Sequence, residues 1–344
     1  MRFLDINKIE PGMILVKPIY DKNGNILLQS NTKITSHYLN KIKGLGFQKL
    51  YVYDKFDSEL SKDIVYGEVV SEKLRQDAIK NLKTLNLDAV TFYANQLVSE
   101  LVSASDILID LSDIRNFHNS TYEHSLNVAL MAVTVGIGMG LNNDQLKSLS
   151  IGAILHDIGK TAIDKEILDK PGKLTDEEYA IMKKHPNFGY NMLKDNDDIS
   201  SLSRVTVLLH HENEDGSGYP FGRTGDKIPL FAKIVHVVDV FDALISERSY
   251  KKPNTPSDAL EYLMGNCGTM FDEDVVNIFI KYIAIYPLGS TVLLSDGRKA
   301  IVEKNYSDSV LRPLVFTEDN EVLDLRNDLN CLNITIIDLV KDEF

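Results

Sequence analysis

The sequence predicts a mainly α protein: an all-helical domain flanked by a small N-terminal α+β module and a small C-terminal β module. Three patterns carry that expectation. Through the middle of the chain apolar residues recur at spacings of three and four, the signature of helices with a buried face. The N-terminal stretch instead holds short apolar runs broken by a turn signature at Asp21, Lys22, Asn23 and Gly24. After Tyr286 and Pro287 the apolar period drops to two. With 344 residues and 44% hydrophobic content, the chain has material for one to three domains and a sizeable core. The expected divisions are an N-terminal module at 1–60, connecting helices at 61–105, a helical domain at 106–286 and a β module at 287–344. No stretch rich in Gly, Ser and Pro separates them, so packed modules are expected rather than tethered ones.

In the N-terminal module, Ile14, Leu15, Ile19 and Tyr20 precede the turn and Ile26, Leu27 and Leu28 follow it, as in a hairpin. A short helix is expected over 32–45, ended by Gly46, and a strand over 49–53. Nothing there has ligand or nucleophile spacing; packing is one role, sensing or partner docking the other. Next, Ile64, Val65, Val69, Leu74, Ala78, Ile79, Leu82 and Leu85 form one helical stripe. Val90, Ala94, Leu97, Val98, Leu101 and Val102 form a second. Such stripes face a core; dimerisation is the competing reading, with too few heptads for a coiled coil. At the far end, apolar runs over 291–294 and 300–303 flank a turn at Ser295, Asp296, Gly297 and Arg298. A second pair flanks Glu318, Asp319 and Asn320, and a fifth strand over 334–337 completes a small barrel-like appendage.

The chemistry-bearing residues lie between. His210 and His211 close an apolar helical run, and Gly216, Ser217, Gly218, Tyr219 and Pro220 cannot continue it. Adjacent helical residues point about 100° apart, so both rings reach one ion only near a helix end. Imidazole is the commonest protein metal ligand. Taken alone, the pair is equally explained by His⁺ at a helix C-terminus. Elsewhere, His156 and Asp157 close an apolar helix running from Leu146, and His124 opens an earlier one. His185 precedes Pro186 and follows a helix whose start is marked by a capping box of Thr175 and Glu178, so it sits near that helix's end. Asp239 lies in the apolar run 234–241. A lone buried His or Asp is ordinarily a paired structural residue. Five such sites in order, all on apolar helical segments, point instead to a metal centre. Asp157 can bridge two cations, with His124, His156 and Asp239 on one and His185, His210 and His211 on the other, as in a two-metal hydrolase.

His156 and Asp157 with Gly159 and Lys160, then His210, His211 and Glu212 through Asp215, Gly216, Ser217, Gly218, Tyr219 and Pro220, resemble the HD-GYP branch of the HD phosphohydrolases. The resemblance runs from about Asp106 to Tyr286. It implies an all-α domain, a di- or trinuclear iron or manganese centre, and hydrolysis of cyclic di-GMP to pGpG or GMP in bacterial second-messenger signalling. By the same resemblance Lys160 joins Asp157 in catalysis and contacts phosphate, as do Arg248 and Lys251. The loop through Tyr219 is expected to wall the substrate pocket, with Glu212 behind a ligand histidine. In trinuclear members a glutamate one turn before the first ligand histidine helps hold the third metal. Here that place is Ser120, whose hydroxyl is a poor ligand for a hard cation. Two divalent transition-metal ions are therefore expected, with His118 and Glu123 as surface or capping residues. The N-terminal module resembles one often found ahead of HD-GYP domains.

Composition narrows the partners. The chain has 37 basic and 50 acidic residues, a net charge of −13, and offers no basic stripe to a nucleic-acid backbone. An anionic dinucleotide must then be received by local cations and metals. Cys267 and Cys331 lie far apart, as expected in a reducing compartment. The first residues read as no signal peptide and no apolar run reaches membrane-spanning length, so a cytoplasmic protein is expected. A homodimer or a signalling partner would engage the N-terminal module. Two other functions compete: hydrolysis of a different cyclic dinucleotide, and non-catalytic reception of cyclic di-GMP. The intact ligand set from His124 to Asp239 argues against the receptor.

Overall fold

The computed structural model describes residues 2–16, 18–20, 26–47, 49–53, 72–103, 109–110, 121–246, 254–286, 288–306, 308–319 and 321–340. The chain divides into two compact units. Residues 1–76, 110–113 and 284–344 form the first, and 77–109 with 114–283 the second.

In the first unit, β1 (Arg2–Asp5), β2 (Ile14–Leu15) and β5 (Lys49–Tyr53) form an antiparallel sheet in the order β1-β5-β2. Between them, β3 (Ile19–Tyr20) and β4 (Ile26–Leu28) pair as the expected hairpin, its turn lying outside the described residues. Helix α1 (Ser36–Gly44) starts where the Thr35 side chain accepts from the Tyr38 amide. Its buried residues Leu39 and Ile42 join Leu15, Leu50 and Val52 in one core cluster.

The C-terminal strands β6 (Thr291–Leu294), β7 (Lys299–Lys304), β8 (Leu314–Thr317), β9 (Val322–Asp324) and β10 (Ile336–Leu339) form one sheet, ordered β9-β8-β7-β6-β10. Among the described residues this is an open sheet, which corrects the barrel-like expectation. Strand β10 returns to pair with β6, so it and β9 occupy opposite edges. Alternation is as read: Val292, Leu294, Ala300, Val302 and Val315 are buried. Leu288 packs against Val16, Tyr51 and Tyr53, which ties the two terminal segments into one unit.

The second unit is helical, as expected. It follows from α2 (Glu72–Lys83) and contains α3 (Leu87–Ser103), α4 (Thr121–Gly138), α5 (Asn143–Leu155), α6 (Lys165–Leu168) and α7 (Asp176–Met182). Then come α8 (His185–Leu193), α9 (Ser201–Leu209), α10 (Leu230–Ile245), α11 (Pro256–Gly265) and α12 (Glu273–Tyr282). Of the two stripes, Ala78, Ile79, Leu82, Val90, Ala94, Leu97, Val98 and Leu101 are buried, while 64–69 lie outside the described residues. Leu85 and Val102 are exposed, correcting the ends of both stripes. Leu85 sits past α2 in left-handed backbone (φ 52°), and Val102 lies in the last turn of α3.

Caps set the helix starts. Asn142 and Gln145 make a capping box at α5, and Thr175 and Glu178 make the expected one at α7. Helices α4 and α10 are apolar on nearly every face, with Leu126 to Val133 and Ile234 to Val238 buried. Such helices belong inside a core. A short 3-10 turn over Ile158–Ala162 follows α5 and presses against α8. A Cβ on Gly159 would stand 2.0 Å from the His185 carbonyl oxygen and 2.5 Å from the Gly189 amide, so only glycine permits this approach.

Gly159→Ala is therefore expected to force the turn and α8 apart, destabilising the fold by about 1–3 kcal/mol, the usual cost of overpacking. Urea unfolding measures it, and an unchanged midpoint would contradict the close approach.

Candidate metal centre

Helix ends deliver most of the predicted ligands. His124 lies in the first turn of α4, His156 caps the C-terminus of α5 with Asp157 next to it, and His210 caps α9 with His211 beyond. Asp239 projects from the middle of α10. His185 follows α7, which Lys183 caps, and lies near its end as expected; it also opens α8. Proline, lacking an N–H, is tolerated in a first helical turn, so Pro186 starts a helix here.

Three imidazoles are oriented in the same way. Nδ1 of His156, His185 and His210 donates to the carbonyl three residues earlier: Ala153 at 2.7 Å, Met182 at 2.9 Å and Val207 at 2.8 Å. A carbonyl only accepts, so each ring holds its proton on Nδ1 and turns the Nε2 lone pair inward. Nε2 of His185 and Nε2 of His210 face each other at 3.3 Å. Asp157 stands between the rings, with Oδ1 3.3 Å from His185 Nε2 and Oδ2 3.3 Å from His156 Nε2. Asp239 Oδ1 lies 3.0 Å from His124 Nε2.

All seven predicted ligands thus come together. Asp157, His185, His210 and His211 form one group whose ligand atoms lie within 4.8 Å of one another, and His124, His156 and Asp157 form a second. Asp239 groups with His156 and His210. The donor set fits metal ions: His156 Nε2 and Asp157 Oδ1 are buried without a hydrogen bond, and two inward lone pairs at 3.3 Å call for a cation.

The comparisons agree with this geometry. A family model matches residues 106–275. Those residues match an HD domain. A cyclic di-GMP phosphodiesterase of Pseudomonas aeruginosa is 37% identical over 230 residues, covering 65% of this chain and 55% of that protein. The 3'3'-cGAMP-specific phosphodiesterase 1 of Vibrio cholerae is 30% identical over 284 residues, covering 77% of this chain and 60% of that protein. The match therefore spans little more than half the length of either relative. A solved HDG"Y"P protein from Bdellovibrio bacteriovorus shares the fold, with a TM-score of 0.52 at 17% identity over 80% of this chain and 97% of that one.

Around the cluster, Lys160 Nζ reaches Asp157 Oδ2 at 2.5 Å, facing the site as expected. Tyr219 stacks on His211, ring centroids 4.7 Å apart and tilted by 31°. Gly218 allows the loop to fold back there, since a Cβ would meet the Asn213 amide at 2.3 Å and the His211 carbonyl at 2.4 Å. Glu212 does not stand behind a histidine. Its buried carboxylate accepts from the amides of Phe221 (2.8 Å) and Arg223 (2.9 Å), holding the loop from below. His118, Ser120, Arg248 and Lys251 lie outside the described residues.

Two supporting residues escaped the sequence reading. Asp242 Oδ2 accepts from His124 Nδ1 at 2.6 Å, and its other oxygen from Asn127 at 3.3 Å. His236 Nε2 donates to Asn213 Oδ1 at 3.0 Å. The available signal was spacing: positions 236, 239 and 242 recur every three residues along α10 and share a face.

Burial and charge divide the imidazoles into two kinds. Burial keeps His185 neutral, with its pKa lowered to about 4, and holds His210 and His211 well below the ordinary range. Burial opposes ionisation of Asp157, but Lys160, His156 and His185 outweigh it and hold the carboxyl well below its usual range. At His124 burial also disfavours charge, yet Asp239 and Asp242 prevail and raise the imidazole to about 10.

These shifts set a pH profile for the metal-free protein. His185 and His236, lowered by burial to about 4 from an ordinary 6.5, stay neutral in the fold while the unfolded chain binds protons. Their effect is a loss of stability as pH falls from 6.5 toward 4. His124 does the reverse: its contribution is full below 6.5 and is lost as pH rises toward about 10. Chelator-treated protein is expected to melt at the highest temperature near neutrality, declining on both sides. His124→Gln should remove the alkaline decline alone. Thermal melts across this range check it, and an alkaline decline unchanged in the variant would contradict the proton placed on His124.

Proposed function

We propose that this chain is a metal-dependent phosphodiesterase that hydrolyses cyclic di-GMP to pGpG or GMP. The observation that carries the proposal is the convergence of five histidines and Asp239 around a buried Asp157 that belongs to two ligand groups at once. His124, His156 and Asp239 would hold one divalent ion and His185, His210 and His211 the other, with Asp157 shared. Imidazole suits iron and carboxylate suits manganese, so this mixed set favours either metal over a thiolate-seeking one. When bound, such a pair supplies Lewis-acid polarisation of a phosphate and lowers the pKa of water toward neutrality.

The chain's own groups do the rest. Neutral His185, His210 and His211 present lone pairs without first losing a proton. The Lys160 ammonium, partly exposed beside Asp157, faces incoming phosphate and stabilises the negative charge that grows on it. Burial pushes the Tyr219 hydroxyl up, so it stays protonated as a wall of the site and a hydrogen-bond donor. Arg248 and Lys251 are proposed as further phosphate contacts. Similarity to a 3'3'-cGAMP-specific enzyme over 77% of this chain supports a second reading, in which the substrate is that mixed dinucleotide.

The test incubates iron- or manganese-loaded protein with cyclic di-GMP under reducing conditions and resolves products by chromatography. Linear pGpG is expected, with about two metal ions per chain. Asp157→Ala should lose both ions and all turnover, whereas Lys160→Ala should keep the metal and lower kcat. Tight binding without product would replace the enzyme with a receptor. Turnover of 3'3'-cGAMP alone would move the substrate to the second reading.

A further inference from the structure

The crown of the loop carries two side chains that the metal cluster leaves unused. Phe221 is 56% exposed, and the Arg223 guanidinium lies over its ring, 5.4 Å from the centroid. Among the described residues that guanidinium makes no hydrogen bond or ion pair. A single exposed aromatic is ordinary on a protein surface. What sets this one apart is the backbone beneath it. Glu212, next to His211, is buried as a carboxylate and uses one oxygen on the Phe221 amide and the other on the Arg223 amide. Gly222 between them takes left-handed backbone (φ 66°), so the chain reverses and the two side chains meet.

The pair is also anchored to the metal side. The Tyr219 amide donates to the His211 carbonyl at 3.0 Å, and the Tyr219 ring stacks on the His211 ring. Adjacent Cα atoms are at most 3.8 Å apart, so the Phe221 Cα lies within ~7.6 Å of that of Tyr219. An aromatic and a guanidinium therefore share the loop whose Tyr219 stacks on His211, at a position fixed by a buried carboxylate.

We propose that Phe221 and Arg223 form the platform that recognises one guanine of a cyclic dinucleotide. The inference rests on the phosphodiesterase reading above and adds the base contact to it. The Phe221 ring offers a face on which any purine stacks. Arg223 adds the choice: its fork of donors matches the O6 and N7 acceptors of guanine, whereas adenine sets an amino donor against it. A ligand with one guanine satisfies the platform, and cyclic di-AMP does not.

The experiment uses the metal-loaded full chain with cyclic di-GMP as substrate and 3'3'-cGAMP and cyclic di-AMP as competing ligands. Phe221→Ala is expected to raise KM for cyclic di-GMP about tenfold while kcat changes by less than about twofold, as for a lost stacking contact. Arg223→Gln is expected to shift the ratio of cyclic di-AMP to cyclic di-GMP affinity about tenfold toward adenine, because a glutamine amide pairs with adenine N6 and N7. Metal content and melting temperature serve as folding controls for both exposed positions. Unchanged KM and base preference, with cyclic di-GMP still hydrolysed, would overturn the platform and leave the phosphodiesterase reading standing. Equal weakening of all three dinucleotides in Arg223→Gln would make the residue a phosphate contact and also overturn it. A wild-type protein that engages no cyclic dinucleotide would overturn both.

Discussion

Keeping Asp157 ionised inside the helical unit is the constraint on which its architecture turns. A lone carboxylate in an apolar interior is strongly disfavoured unless charges and donors surround it. Here the Lys160 ammonium on the 3-10 turn supplies the facing charge, and the Nε2 atoms of His156 from the end of α5, His185 from the start of α8 and His124 from the start of α4 close around the same carboxylate, where a shared cation would complete its surroundings. Each must arrive within 4 Å of one carboxylate, so the ends of these elements converge on one point. Gly159 is part of the same requirement, since any Cβ there would keep the turn that carries Lys160 away from His185.

Helix ends suit this task for a second reason. The last carbonyls of a helix have no intrahelical partner, and a histidine just beyond them can satisfy one with Nδ1. His156 and His210 do so at the ends of α5 and α9, and His185 does the same after α7. One hydrogen bond thus completes the helix, fixes the tautomer and aims the other nitrogen inward. His124 is built differently. It opens a helix, takes its orientation from the Asp242 carboxylate, and holds a proton that a metal ion must displace. The centre is therefore asymmetric in its affinity for protons even where its ligand types repeat.

The convergence of these residues was legible in the sequence because helical spacing and residue chemistry agreed at each of them. The five histidines and two aspartates are rare polar residues in apolar runs, and all seven meet. The supporting groups were harder to read, because their partners are distant or lie across a turn. Glu212 holds amides nine and eleven residues ahead, a relation set by the fold of the loop and not by any local period. That His185 also opens a second helix was not read, because the proline after it reads as a stop although proline also suits a first turn. The barrel-like reading of the C-terminal strands failed for a similar reason: alternation reports which face is buried, not which strand closes the sheet.

Helix α10 shows how these parts are held in register. His236 donates to Asn213 at the base of the loop, Asp239 enters the cluster, and Asp242 grips both His124 and Asn127 on α4. Three residues at a spacing of three lie on one face, so a single rigid helix connects the loop, the ligands and the neighbouring helix. Rotating α10 by one residue, about 100°, would break all three links together. The apolar remainder of α10 resists that rotation, because Val235, Val237, Val238 and Phe241 are buried around it. Packing that looks structurally generic thus fixes the angular position of the centre, and the polar stripe has meaning only because the rest of the helix cannot turn.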